Sequence, residues 1–138
     1  MNEVNPPKSA ESNLFTIREL SPGMLHIIVK DNVEVTLQDM EESLGLLDDF
    51  INGNNFVAII DIRNSFMRVT PDALRFIGSQ KGQLKYCKAE AIVVDSLAVS
   101  LVMNFYATLI PKQKVSKVFK TFGDAQSWLE EQKHLLQL

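Results

Sequence analysis

Asp61 and Asp95 stand at the ends of two apolar runs, residues 56–62 and 88–95. Paired carboxylates on neighbouring strand ends could hold a divalent cation or pass a proton. Neither has a second acidic or histidine ligand beside it in sequence. Asp95 therefore reads as a helix cap and Asp61 as an acceptor that fixes its loop, and no metal or cofactor is expected. His26 and His134 lie far apart, and Cys87 has no histidine or basic cluster nearby to activate a thiolate. No Gly-x-Ser-x-Gly surrounds Ser65 or Ser96, and there is no glycine-rich phosphate loop. These types and spacings point away from an enzyme.

Two other features could bind rather than react. Thr70-Pro71 opens a helix, with Thr70 as an N-cap and proline where its missing N–H costs nothing. A phosphate on Thr70 would meet the positive end of that helix with Arg68 close by, which makes Thr70 the phospho-switch candidate. The loop before it holds Arg63, Phe66, Met67 and Arg68, two arginines flanking an apolar pair. It should lie beyond the carboxyl end of a central strand, where open α/β sheets bind ligands. Phe66 and Val69 could equally fold back and seal the sheet.

The elements that position these residues follow from periodicity. Residues 14–20 and 24–30 alternate about a Ser21-Pro22-Gly23 turn and should form an antiparallel hairpin with one half-solvated face, which carries His26 and Lys30. Thr36 with Asp39 looks like a capping pair ahead of Leu37, Met40, Leu44, Leu47 and Ile51, one face of a helix that Asn52-Gly53-Asn54 ends. Strands are expected at 56–62, 88–95 and 115–122, with a final helix at 124–133 that faces inward through Ala125, Trp128, Leu129 and Gln132. Leu135, Leu136 and Leu138 extend that helix or pack as a tail.

A helix over 96–110 is unusual because no residue in it is charged. Ser96, Ser100, Asn104 and Thr108 make a narrow polar stripe, and Leu97, Leu101, Phe105 and Leu109 make one apolar side. Val99, Val102, Met103, Tyr106 and Ile110 cover much of the remainder. A surface helix normally has a charged face, so these five residues are expected to form an apolar surface for a second copy, a protein, an acyl chain or a membrane, the alternative being that the hairpin, the final helix or the C-terminal tail buries them within the monomer.

Composition sets the class. The 138 residues are 46% hydrophobic and 22% charged, enough for one domain with a real core. A net charge of −3 gives no footprint for nucleic acid, and the lysines at 112, 114, 117 and 120 read as a strand edge or loop lip. A single cysteine excludes an internal disulfide and suits a reducing compartment. Residues 1–13 read as a flexible leader without a signal-peptide stretch, and the longest uncharged run is short of the roughly 20 residues of a membrane span. A cytoplasmic location is expected.

The order is thus β-β-α-β-α-β-α-β-α, a mixed sheet of about five strands with helices packed on it, in a single domain over residues 14–138. That order resembles the STAS-like and SpoIIAA-like proteins. The likeness is carried by Ala58-Ile59-Ile60-Asp61-Ile62, the segment 66–74, the strand 88–95 and the ending from Val118-Phe119 to Ala125-Gln126-Ser127-Trp128-Leu129. The family includes the anti-sigma-factor antagonists and is grouped with the SEC14-type lipid-binding fold. In the antagonist branch a serine in Asp-Ser-Ser-Gly is phosphorylated at the start of the helix. Aligning on Phe66-Met67 puts Val69 there with Thr70 beside it, a one-residue shift puts Thr70 there, and Pro71 takes the place of the glycine. The resemblance implies a non-enzymatic regulatory module with a protein partner or self-association. The alternative it implies is a SEC14-like binder of lipid, or a peripheral membrane contact, through helix 96–110.

Overall fold

The computed structural model describes residues 8–63, 67–77, 79, 85–97, 99 and 115–137. The expected hairpin is present as β2 (Phe15–Ser21) and β3 (Met24–Val29), antiparallel, joined through Pro22-Gly23. Proline presets φ at the first turn position and Gly23 takes φ +79° at the second, a conformation that favours glycine. A Cβ on Gly23 would also come within 2.9 Å of Leu136 Cδ1.

The boundary of the leader is corrected. Residues 9–11, read as part of a flexible leader, form β1 (Ser9–Glu11), antiparallel to β2. Ala10 packs against the core, the Lys8 ammonium lies 4.3 Å over the Phe50 ring, and Lys30 pairs with Glu11. Three residues are too few for alternation to be legible in sequence.

After β4 (Val33–Val35) comes α1 (Leu37–Ile51). Thr36 caps it, its Oγ1 accepting from the Asp39 N–H at 3.1 Å, and Asn52 ends it in the left-handed region at φ +50°. The inward face centres on Ser43, Leu47, Phe50 and Ile51. β5 (Phe56–Asp61) and β6 (Met67–Val69) lead to α2 (Pro71–Ile77), then β7 (Cys87–Val93), β8 (Val115–Phe119) and α3 (Phe122–Glu131). A short 3-10 turn, Lys133–Gln137, follows, and Leu135 and Leu136 pack against the core as a tail.

The main sheet has six strands, one more than expected, in the order β1-β2-β3-β5-β7-β8. β3, β5, β7 and β8 are mutually parallel. β4 and β6 form a separate parallel pair, β6 inside the stretch read as a loop and β4 in one to which no element was assigned. One face of the main sheet, with Phe56 and Ala58, packs on Leu47, Phe50, Ile51 and Ala73 of α1 and α2. The other, with Met24, Val57, Ile59, Ala91 and Val93, packs on Ala125 and Leu129 of α3. The expected half-solvated hairpin face therefore needs correcting at β3: Met24 is buried under α3, whereas Arg18 of β2 and Ser9 and Glu11 of β1 leave that face to water.

The expected helix 96–110 lies outside the described residues except Ser96, Leu97 and Val99, so Val102, Met103, Tyr106 and Ile110 lie outside them too. Ser96 Oγ accepts from the Val99 N–H at 3.4 Å, so Ser96 makes one capping bond at the start of this segment. Val99, one of the five residues of the apolar surface, is partly buried against Ile62, Ile92 and Val94, while Leu97 is 72% exposed. Periodicity locates an apolar stripe but not its rotation relative to the sheet.

Candidate functional site

Asp61 is the last residue of β5 and points to the face covered by α3, in step with Val57 and Ile59. It is buried, at 5% exposure. Four donors converge on it. Arg63 gives its backbone N–H to Oδ1 at 3.2 Å, its Nε–H to Oδ1 at 3.0 Å and its Nη2–H to Oδ2 at 2.8 Å. His26 Nε2 lies 2.9 Å from Oδ2. A carboxylate only accepts, so Nε2 of His26 carries the proton.

The parallel register explains the encounter. His26 of β3 is the partner of Ile59, so its side chain shares the face of Asp61 two residues further along β5. Phe122, at the first turn of α3, closes the group: its ring centroid is 4.9 Å from that of His26, and the Arg63 guanidinium lies 5.9 Å over the same ring. Thr121 holds the start of α3 there by accepting from the Asp124 N–H at 3.2 Å.

Burial acts on Asp61 to raise its pKa, but the hydrogen bonds from Arg63 and His26 and the Arg63 charge outweigh it and hold the carboxyl below its usual range. Arg63 holds its proton more tightly in return, through Asp61 first and, more distantly, Asp95. The guanidinium thus supplies the positive charge a cation would have brought to these two acids. Both oxygens of Asp61 are committed, so the group anchors the chain and is not a free base. This is the loop-fixing role expected of Asp61, made stronger by a side chain that sequence separation hides. The Asp61–Asp95 pair is not side by side: Asp61 is level with Val93, two residues before Asp95.

The loop residues are divided by the fold. Arg63 is turned back onto Asp61, and Met67 is half-buried against Ile62 and Val94. Arg68 and Val69 are exposed, and Phe66 lies outside the described residues. Thr70 stands at the start of α2, its Oγ1 3.4 Å from the donating Ala73 N–H and itself donating to Asp72. Its backbone N–H donates to the Val35 carbonyl at 3.0 Å, tying α2 to β4. The Thr70 hydroxyl holds the Asp72 carboxyl below its usual range. A phosphate on that oxygen would meet the Asp72 carboxylate. Thr70→Ala removes the cap and should lower stability by about 1 kcal/mol, read as a shift of the urea midpoint with an unchanged slope.

His26 and Phe122 are the residues that sequence reading missed. Alternation placed His26 opposite Leu25 and Ile27, which is correct, and then assigned that face to solvent, which is not. The available signal was topological: right-handed crossovers send the intervening helices to one face, and only the final helix is left to cover the other.

Among the described residues no group of three or more histidines, cysteines or acids could hold a metal ion, and no helix is long and apolar enough to cross a membrane. No curated protein matches the chain. Among solved structures, an uncharacterized protein of the DUF3478 family with a SpoIIAA-like fold, from Shewanella loihica PV-4, matches with a TM-score of 0.63. The match covers 94% of this chain and 99% of that one at 23% identity. The mixed sheet and its helices are thus those of the SpoIIAA-like fold. The family model described as "Domain of unknown function (DUF7793)" matches residues 18–133, and the chain belongs to that family.

Proposed function

We propose that this protein is a non-enzymatic cytoplasmic binding module that recruits a protein partner at the carboxyl-end rim of its parallel strands. The observation that carries the reading is the distribution of exposed apolar side chains. Five large ones are exposed among the described residues, and three of them, Val69 at 36%, Leu74 at 61% and Leu97 at 72%, are the last residue of β6, the middle residue of the α2 helix that follows it, and the fourth residue beyond β7. Leu20 and Val115 lie at the opposite end. Exposed Arg68 stands beside Val69, which gives the rim both an apolar anchor and a charge. Asp61 fixes the departure of the loop that leads to this rim, so the surface is held in place before a partner arrives.

The lipid reading gains nothing from the cleft of about 480 Å³ at the amino end of the sheet. Lys8, Glu19, Asn52, Asn54 and Asn55 line it beside Leu25, Phe50, Phe56 and Leu136, and its exposed lining is mostly polar, which suits an acyl chain poorly.

A photo-crosslinking side chain at position 74 should capture a protein that the same group at position 20, exposed at the opposite end, does not. Leu74→Asp should then weaken that partner's affinity by tenfold or more, roughly 1.4 kcal/mol. Stability should change by less than about 0.5 kcal/mol, because Leu74 is exposed. Equal capture at both positions, or unchanged affinity of Leu74→Asp, would remove the rim as the working surface.

A further inference from the structure

We infer that the outer edge of β8 is a strand-addition site for an acidic peptide in extended conformation. This surface is separate from the carboxyl-end rim and does not depend on it. β8 is the last strand of the six-stranded sheet, and no strand lies beyond it among the described residues. Its inner side is set by the register Val93↔Phe119 and by the Val94 N–H, which donates to the Phe119 carbonyl at 2.9 Å. Main-chain groups of alternate residues in a strand point to opposite edges. Val115, Lys117 and Phe119 therefore bond to β7, and the N–H and C=O groups of Ser116 and Val118 point outward. All five side chains of β8 are at least partly exposed, whereas β7 is buried along nearly its whole length. An edge of this kind supplies main-chain hydrogen bonds to any extended chain that reaches it.

Charge selects the occupant. Residues 96–123 contain four lysines and no acidic residue, in a chain whose net charge is −3. Lys117 and Lys120 are exposed on β8 and just beyond it, and the Lys117 ammonium lies 5.4 Å from the Phe119 ring centroid. The acid nearest along the ladder, Glu90 of β7, is buried and accepts from Ser116 Oγ at 3.2 Å. A second copy pairing antiparallel through the same edge would set lysine against lysine, which disfavours self-association. An acidic strand turns the same charges into attraction and register.

The test is fluorescence anisotropy of a labelled twelve-residue peptide of alternating glutamate and valine or threonine, titrated with the full chain. Saturable binding that weakens as salt rises is expected. The double substitution Lys117→Glu, Lys120→Glu should reduce affinity on the order of tenfold or more. Ser116→Pro removes an outward N–H that makes no ladder bond and should also abolish binding. Ser116→Val keeps that N–H while losing the bond to Glu90, and should bind like the parent chain. No saturable binding, or affinity retained in the lysine variant or in a folded Ser116→Pro, would overturn the proposal. So would equally tight binding of a labelled oligothymidylate, which would mark a general polyanion surface.

Discussion

Replacing Asp61 by alanine should be the most damaging polar substitution in the chain. Arg63 would be left beside the Phe122 ring with no acceptor in hydrogen-bond reach from Asp61, and His26 would lose the oxygen that receives its Nε2 proton. Removing one partner of a fully buried ion pair costs about 3–5 kcal/mol. The Arg63 side chain is 35% exposed, so water can take over part of its solvation and the expected loss is about 2–3 kcal/mol. For a domain of this length that is a fall in Tm of about 10 °C. Asp61→Asn preserves size and acceptor geometry on one side and should lose roughly half as much. A change below about 0.5 kcal/mol in Asp61→Ala would show that the cluster does not hold the loop.

The same residue gives a pH signature whose sign is determined. The Asp61 carboxyl is held below its ordinary value of 3.8 in the folded chain, so the folded state binds fewer protons than the unfolded one in that region. The stabilisation is fully present above the unfolded value and is lost as pH falls through the depressed folded value. Asp61→Asn should therefore flatten the acid limb of the stability profile and leave the neutral region lower but parallel. Chemical denaturation between about pH 2 and pH 6 reads this directly. A variant with the same acid slope as the parent would place the protonation elsewhere.

Leu129→Ala should produce a loss of comparable size by a different route. Leu129 is fully buried and fastens α3 to Met24, Val57, Ile59 and the alanines of β7. Truncating such a leucine costs about 2–5 kcal/mol, because the cavity cannot fully collapse against strands held by a ladder on both sides. Trp128 is the single tryptophan of the chain, and its ring centroid is 5.5 Å from that of Phe119. Its fluorescence reports whether α3 leaves β8. The expected result is a lower Tm seen by tryptophan emission, with a broader transition than that of the parent. α3 also carries Phe122, so loosening it should weaken the Asp61 cluster, and a double-mutant cycle of Leu129→Ala with Asp61→Ala should show coupling of about 0.5 kcal/mol or more. Strict additivity would mean that the cluster survives without the helix that covers it.

Several features of the molecule were legible from residues alone. The alternation about Ser21-Pro22-Gly23 located β2 and β3, because a period of two can face a core in only one way and Gly23 is needed at positive φ. Thr36, the 37–51 periodicity and Asn52 bounded α1, since caps are local chemistry. The largely apolar runs at 56–62 and 88–95 marked the two central strands, which are buried along most of both faces. Local patterns of this kind need no knowledge of what lies across the core.

Tertiary structure decided the rest. β1, β4 and β6 have three residues each, too few to show a period, and they exist because a neighbouring strand completes their hydrogen bonds. The rotation of an apolar stripe about its helix axis depends on the surface it meets, which is why Val99 turns inward and Leu97 outward. His26 and Asp61 are 35 residues apart in the chain, and only the parallel register of β3 and β5 brings them within 2.9 Å. Sequence spacing determined the kinds of element and their order. The meeting of one histidine, one aspartate, one arginine and one phenylalanine at the end of β5 depended on which strand lies beside which, a long-range outcome that a one-dimensional period does not encode.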